Sequence, residues 1–208
     1  MNKRNLKNTE WAILICVLLL VIIGLIALYS ASQETELDAF KKQCIWILIS
    51  IPIMCVAMVM DYNIIARFSW IFYGIFMLLL IVVLFTAAIN GATSWFNMGF
   101  LSFQPGELAK IFVILFLSYT IVNIQAKGKN QINKPSKLAI IVLIGLAPTF
   151  LIAIQPDYGT ALAYIVAITL MLYVAGIDKK YIITTFIILI VALPLLYFFV
   201  LPEHAKSR

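Results

Sequence analysis

The fold class is decided by WAILICVLLLVIIGLIALYSA, residues Trp11 to Ala31, which contains no charged side chain. A helix needs about 20 apolar residues to cross the hydrocarbon core of a bilayer, and this run is long enough. It also exceeds the apolar core of a secretory signal peptide, which has roughly 7–15 residues. We therefore predict a membrane span that is retained rather than a cleaved leader.

The rest of the chain has the same character. Of its 208 residues, 64% are hydrophobic and 12% are charged, and the mean hydropathy is +1.07. Soluble domains carry about 25% charged residues. The composition therefore predicts a single membrane-embedded domain over residues 1–208. Cys16, Cys44 and Cys55 lie in or beside apolar runs without metal-ligand spacing, so we interpret them as small apolar-facing residues.

Seven apolar runs follow one another along the chain. At about 20 residues per crossing, they predict an all-α polytopic membrane protein with about seven transmembrane helices. The predicted spans are Trp11–Ala31, Cys44–Met60, Phe68–Ile89, Pro105–Ile124, Leu138–Ile154, Tyr158–Gly176 and Tyr181–Leu201. Spans two and five are short, and we expect a different tilt or an extension by flanking residues.

The basic residues predict the orientation of these spans. The net charge of +6 comes from residues in short segments between apolar runs, which is typical of topology signals and argues against nucleic-acid binding. With the N-terminus inside, ten basic residues are cytoplasmic and four are outside, which favours a cytoplasmic N-terminus. The ten are Lys3, Arg4, Lys7, Arg67, Lys127, Lys129, Lys134, Lys137, Lys179 and Lys180, and the four are Lys41, Lys42, Lys206 and Arg208. We interpret 127–137 (KGKNQINKPSK) as a solvated cytoplasmic loop, in preference to a lipid or protein docking site.

A first polar cluster lies where span four begins. Pro105 suits the first turn of a helix, and the helix dipole favours an anion at Glu107 in that turn. Lys110 follows three residues later on the same face, within reach of an ion pair. The pair either fixes helix packing or lines a cavity and presents charge to a polar or anionic substrate. Trp95, just upstream, is favoured as an interface anchor.

A second polar cluster lies where span six begins. Pro156 breaks the chain between two apolar runs, and Asp157 follows at the start of the next helix. Asp is a good N-cap residue, so its position fits a structural role and a substrate role equally well. In the predicted orientation, both clusters open to the same outer side of the membrane.

Three ordered segments, Gly91–Phe96, Phe103–Lys110 and Gln155–Leu162, resemble the signature segments of the SEDS family. This is the shape, elongation, division and sporulation family of multi-pass peptidoglycan polymerases. The resemblance runs over essentially the whole chain. The short N-terminus and the wording Ser94-Trp95-Phe96 look closest to the rod-shape (RodA) branch, and the division (FtsW) and sporulation (SpoVE) branches stay open.

The resemblance implies a glycosyltransferase of the bacterial cell membrane that polymerises lipid II, an undecaprenyl-pyrophosphate-linked disaccharide peptide. It implies a class B penicillin-binding protein as partner. Such chemistry needs a carboxylate for the acceptor proton and positive charge for the pyrophosphate. Asp157 is the implied catalytic candidate, as a group that orients the substrate more readily than as a base. The implied substrate-binding residues are Trp95, Gln104, Glu107, Lys110 and Gln155. No cofactor or metal-ligand cluster is evident, and a divalent cation stays open.

Two departures from the family pattern set further expectations. Gly106 stands where the family usually has Ser. Family members usually have about ten spans and nearly twice this length, so we expect an N-terminal portion truncated at its C-terminus. The family's presumed catalytic aspartate then lies beyond residue 208, and this chain is not expected to polymerise lipid II alone. Two other hypotheses stay open, a flippase or transporter for a lipid-linked sugar and a non-catalytic scaffold for a penicillin-binding protein.

Overall fold

The computed structural model describes residues 10–33, 38–86, 93–97 and 102–195, and within them it contains seven α-helices. The helices are α1 (Trp11–Ala31), α2 (Asp38–Val59), α3 (Tyr62–Val83), α4 (Pro105–Gln125), α5 (Pro135–Ile154), α6 (Tyr158–Val174) and α7 (Lys179–Leu195). A short antiparallel hairpin of β1 (Phe96–Asn97) and β2 (Ser102–Phe103) precedes α4. A 3-10 helix, Lys129–Asn133, connects α4 to α5.

These helices correspond one to one to the predicted spans, which confirms the all-α polytopic membrane fold. Among the described residues, α1 to α5 are long and apolar enough to cross a membrane, whereas α6 and α7 have 17 residues each. Spans two and five are longer than predicted, because α2 and α5 begin among polar residues that apolar periodicity does not mark. Likewise α3 begins six residues earlier, at Tyr62. The predicted ends of spans three and seven, Ile89 and Leu201, lie outside the described residues.

The chain divides into two compact units, Met1–Ile65 and Ala66–Arg208. In the first unit α1 packs against α2, and the ring of Tyr29 meets that of Phe40 edge-on with centroids 5.4 Å apart. Neither α1 nor α2 contains a buried residue in this structure.

The core of the second unit lies among α4, α5 and α6. Buried residues recur every fourth position along α4, at Ala109, Val113, Leu117 and Ile121, which places them in one stripe on the helix. Facing residues complete the core: Leu80, Ile132, Ile141, Ile152, Ala161, Tyr164 and Ile168. Phe72 and Phe76 of α3 stack on Phe112 of α4, with centroids 4.7 and 5.1 Å apart.

Pro148 interrupts the hydrogen-bond ladder in the middle of α5. A proline has no N–H, so it cannot donate to the carbonyl four residues earlier, that of Ile144. The hydroxyl of Tyr73 on α3 donates to this carbonyl at 3.0 Å. A neighbouring helix thus supplies the hydrogen bond that the proline removes.

At Gly145, α5 lies close against α6. A Cβ added there would lie 2.7 Å from Ile168 Cδ1 and 3.1 Å from Ile168 Cγ1. These distances are below van der Waals contact, so even a methyl group requires the side chain or the helix to move. Gly145 therefore sets the spacing of the two helices that precede and follow the second polar cluster.

We predict that Gly145→Ala lowers the thermal midpoint in detergent, because overpacking of this kind costs about 1–3 kcal/mol. Adding Ile168→Val, which removes the nearest atom, should recover part of the loss. Gly74→Ala is the matched control, since no atom lies within 4 Å of its added Cβ. A helical Gly→Ala change without a clash stabilises by about 0.5–1 kcal/mol. Equal midpoints for the two alanine variants would contradict the close approach.

Candidate active site at the start of α4 and α6

The first cluster is built on the N-terminal turn of α4. Gln104 is the N-cap residue in an extended conformation, and Pro105 occupies the first turn as predicted. Lys110 Nζ lies 2.9 and 3.0 Å from the two carboxylate oxygens of Glu107. The side chain of Glu107 is 54% exposed and that of Lys110 is 25% exposed. The Lys110 ammonium thus lies partly buried, between the exposed Glu107 carboxylate and the helix core.

Tyr164 of α6 contacts this turn of α4 from the buried side. Its side chain is 1% exposed, and its hydroxyl donates to the carbonyl of Gly106 at 2.7 Å. Lys110 Nζ lies 5.9 Å from the centroid of the Tyr164 ring, a cation–π distance. Sequence reasoning missed Tyr164, although a hydroxyl two helical turns after Asp157 in an apolar span was the available signal.

Asp157 joins the second cluster to the first. Its Oδ1 accepts a hydrogen bond from the Thr160 N–H at 3.2 Å, so the residue is the N-cap of α6. Its Oδ2 accepts a hydrogen bond from Gln104 Nε2 at 2.5 Å. One carboxylate therefore caps α6 and also holds the residue at which α4 begins. The two segments, 53 residues apart in sequence, form one polar site.

Gln155 and Trp95 are positioned by contacts with the end of α3. Gln155 is 1% exposed, and its Nε2 donates to the carbonyl of Leu80 at 2.9 Å. The carbonyl of Trp95 accepts a hydrogen bond from Thr86 Oγ1 at 3.3 Å, and the Trp95 side chain is half-buried. The structure therefore brings together Gln104, Glu107, Lys110 and Asp157, whereas Gln155 faces α3.

Gly106 leaves room for a side chain in this turn. A Cβ added there would lie 3.7 Å from Ile152 Cδ1 and from Thr160 Cγ2, which is ordinary contact. The Cβ of the serine that the resemblance led us to expect at this position would therefore meet no clash. Among the described residues, no group of three or more His, Cys, Asp or Glu side chains is placed to hold a metal ion.

The fold and this site define a class, namely multi-pass helical membrane proteins whose charged groups converge at helix N-termini. A family model described as cell cycle protein, for FtsW, RodA and SpoVE, matches residues 10–208. The chain belongs to this family.

Individual relatives agree with the family model. The chain is 31% identical over 207 residues to the peptidoglycan glycosyltransferase RodA of Treponema pallidum, which covers 97% of this chain and 46% of the relative. It is 30% identical over 218 residues to a probable peptidoglycan glycosyltransferase FtsW of Geobacter sulfurreducens, covering 100% and 57%. The chain thus spans about half the length of the curated relatives it matches.

Solved structures share the fold. The crystal structure of the rod shape determining protein RodA of Thermus thermophilus aligns with a TM-score of 0.76 at 26% identity, over 89% of this chain and 60% of that one. A chain in a peptidoglycan synthase complex that coordinates polymerization and crosslinking aligns with a TM-score of 0.79 at 25% identity, over 97% and 58%.

The contact between Gln104 and Asp157 is testable by a double-mutant cycle. We predict a coupling of about 1 kcal/mol between Gln104→Leu and Asp157→Ser, because each change removes the same hydrogen bond. Serine is chosen because it retains an acceptor for the helix cap. Thermal midpoints in detergent provide the measurement.

Asp157→Ala is the companion variant, and it should cost about 1 kcal/mol more than Asp157→Ser because the cap is lost as well. Strictly additive effects of Gln104→Leu and Asp157→Ser would show that the two segments are not joined through this bond.

Proposed function

We propose that this chain carries part of the site of a peptidoglycan glycosyltransferase that polymerises lipid II into glycan strands. The observation that carries the proposal is the hydrogen bond between Gln104 and Asp157, which unites both polar segments at the start of α4 and α6. The names of the longer relatives support the reaction class.

Lys110 is the group proposed to face the pyrophosphate. When the acceptor hydroxyl attacks the anomeric carbon, the bond to undecaprenyl pyrophosphate breaks and negative charge gathers on the leaving group. The ammonium and the positive N-terminal ends of α4 and α6 would stabilise that charge. Glu107 and the Tyr164 ring keep the ammonium at the mouth of the site rather than in the core.

Asp157 is proposed to orient the substrate rather than to act as a base. Both of its oxygens already accept hydrogen bonds, one from the Thr160 N–H and one from Gln104. A base in this position would first have to release one of these partners. A sugar hydroxyl can instead be placed by the Gln104–Asp157 pair without disrupting the start of either helix.

We also propose that the N-terminus is cytoplasmic, that the site opens on the outer side, and that a class B penicillin-binding protein is the partner. In the second unit the basic residues Lys127, Lys134, Lys137 and Lys179 lie at the ends of α4, α5 and α7 away from this site. That distribution supports the orientation. The relative found in a peptidoglycan synthase complex supports the partner.

Binding tests the role of Lys110 directly. We expect Lys110→Met to weaken the binding of undecaprenyl pyrophosphate to the purified chain about tenfold, equivalent to about 1.4 kcal/mol. Lys110→Arg should retain most of the affinity because the charge remains. Uncharged undecaprenol should bind the wild type and Lys110→Met alike. The titration is run with and without Mg²⁺, so that the contribution of a divalent cation to pyrophosphate binding is separated from that of Lys110.

Lys180→Met is the matched control, because Lys180 pairs with Asp178 at the other end of the helices. Equal losses for both lysine variants would reject a specific role for Lys110. Transfer of labelled lipid II across a vesicle bilayer without polymer would favour the transporter hypothesis. Complex formation and function that both survive Lys110→Met and Asp157→Ala would favour the scaffold hypothesis.

The orientation is tested by cysteine labelling. In a chain with its three native cysteines replaced by Ala, we predict that Ser102→Cys reacts with a membrane-impermeant maleimide on intact cells. Ser136→Cys should react only after lysis, because α4 lies between the two positions. Both serines are exposed, so accessibility within the protein is matched. The reverse pattern would place the candidate site on the cytoplasmic side.

A further inference from the structure

A second concave site lies at the other end of α4. It is a groove of about 270 Å³ formed by the C-terminal half of α4, the 3-10 helix and the first turns of α5. Two of the side chains that line it are cationic, Lys127 and Lys137. Lys127 is 17 residues beyond Lys110, which corresponds to about 25 Å along a helix axis. The groove is therefore separate from the candidate active site.

Lys127 and Lys137 have no carboxylate partner among the residues that the structure describes. Within the described part of the chain, the ion pairs are Glu107 with Lys110 and Asp178 with Lys180. Among the described residues, the lining of the groove includes no acidic side chain. Two cations, one in the turn after α4 and one in the first turn of α5, thus line one cleft without a counter-charge from the described residues.

The position of Lys137 is unfavourable for the helix that carries it. It lies in the first turn of α5, at the positive end of the helix dipole, and that turn contains no acidic residue. The N-cap residue, Lys134, makes no side-chain cap hydrogen bond. A bound anion would relieve this repulsion between the Lys137 ammonium and the positive end of the helix.

The wall of the groove changes from polar to apolar along α4. Asn123 and Gln131 add amides near the lysines, while Phe116 and Ile140 form apolar walls. A free phosphate ion would make no favourable contact with the apolar part of the groove. An amphiphile with an anionic head and a hydrocarbon tail uses both parts, and basic pockets between transmembrane helices are known to take lipid head groups.

We propose that this groove binds one anionic phospholipid of the surrounding membrane. Its phosphate lies between Lys127 and Lys137, and the first part of an acyl chain runs along Phe116 and Ile140. The bound lipid joins the end of α4 to the start of α5, and so holds the connection between two core helices. Lys127–Lys137 is therefore more than the solvated loop that the sequence predicts.

The experiment is a lipid titration of the purified chain followed by native mass spectrometry. Phosphatidylglycerol is the probe and phosphatidylcholine is the neutral comparison. We expect one phosphatidylglycerol to be retained by the wild type, with at least tenfold weaker binding for the Lys127→Gln/Lys137→Gln variant. The Lys134→Gln/Lys180→Gln variant loses the same charge outside the groove and should bind within twofold of the wild type.

Three results would overturn the proposal. Equal weakening in both double variants would mean general surface attraction, and equal retention of phosphatidylcholine would mean that the anionic head group is not recognised. Displacement of the lipid by glycerol 3-phosphate at a similar concentration would make a soluble phosphate the ligand. Ile140→Ser adds a check on the tail, since it should weaken phosphatidylglycerol and leave glycerol 3-phosphate unchanged.

The result is independent of the glycosyltransferase proposal. The lipid titration does not involve Lys110 or Asp157, and lipid II is absent from it. A chain that fails to bind undecaprenyl pyrophosphate can still retain phosphatidylglycerol. A chain that binds undecaprenyl pyrophosphate can likewise fail to retain phosphatidylglycerol.

Discussion

Backbone carbonyls that the helices cannot satisfy by themselves constrain the packing of the second unit. In a bilayer no water compensates such a group, and each one left without a donor costs several kcal/mol. Pro148 frees the carbonyl of Ile144, and Tyr73 on another helix donates to it. Two carbonyls at C-terminal helix ends also receive side-chain donors, that of Leu80 from Gln155 and that of Ala175 from Gln125. Tyr164 in addition donates to the carbonyl of Gly106 in the first turn of α4. These bonds join α3 to α5, α4 to α6 and the end of α3 to the turn before α6, so the helix arrangement follows from satisfying the backbone.

The candidate active site is built from the same kind of contact. Tyr164 reaches the backbone of the turn that carries Glu107, and its ring lies beneath the Lys110 ammonium. Asp157 caps α6 and holds Gln104 at the start of α4. The residues with these structural roles are therefore the same ones for which we propose chemical roles. The sequence left open whether the Glu107–Lys110 pair fixes helix packing or faces a substrate. The two roles are compatible.

Apolar runs were sufficient to predict seven helices, because the cost of exposing polar groups to lipid acts on each helix separately. Helix ends were less predictable: α2 and α5 begin in polar residues, beyond the reach of a hydropathy pattern. The ion pair of Glu107 and Lys110 was predictable because it is local, three residues apart on one helix face. The bonds of Gln104 and Gln155 connect residues 53 and 75 positions apart, and no local rule specifies such partners. The position of Tyr164 in an apolar span was a signal of a buried hydroxyl, but its acceptor, Gly106, is 58 positions away and could not be predicted.

The two ends of α4 differ in how they neutralise positive charge. At the N-terminal end Glu107 provides the counter-charge for Lys110, and the helix dipole stabilises the carboxylate in turn. At the other end Lys127 and Lys137 line a groove without an acidic residue. In the proposed orientation, the positive-inside rule accounts for lysines on that side, but it does not require two of them to share one cleft or one to occupy the positive end of α5. In our proposal, an anionic membrane lipid supplies the missing counter-charge. Lys127 and Lys137 then contribute both to the orientation of the chain and to the binding of the lipid.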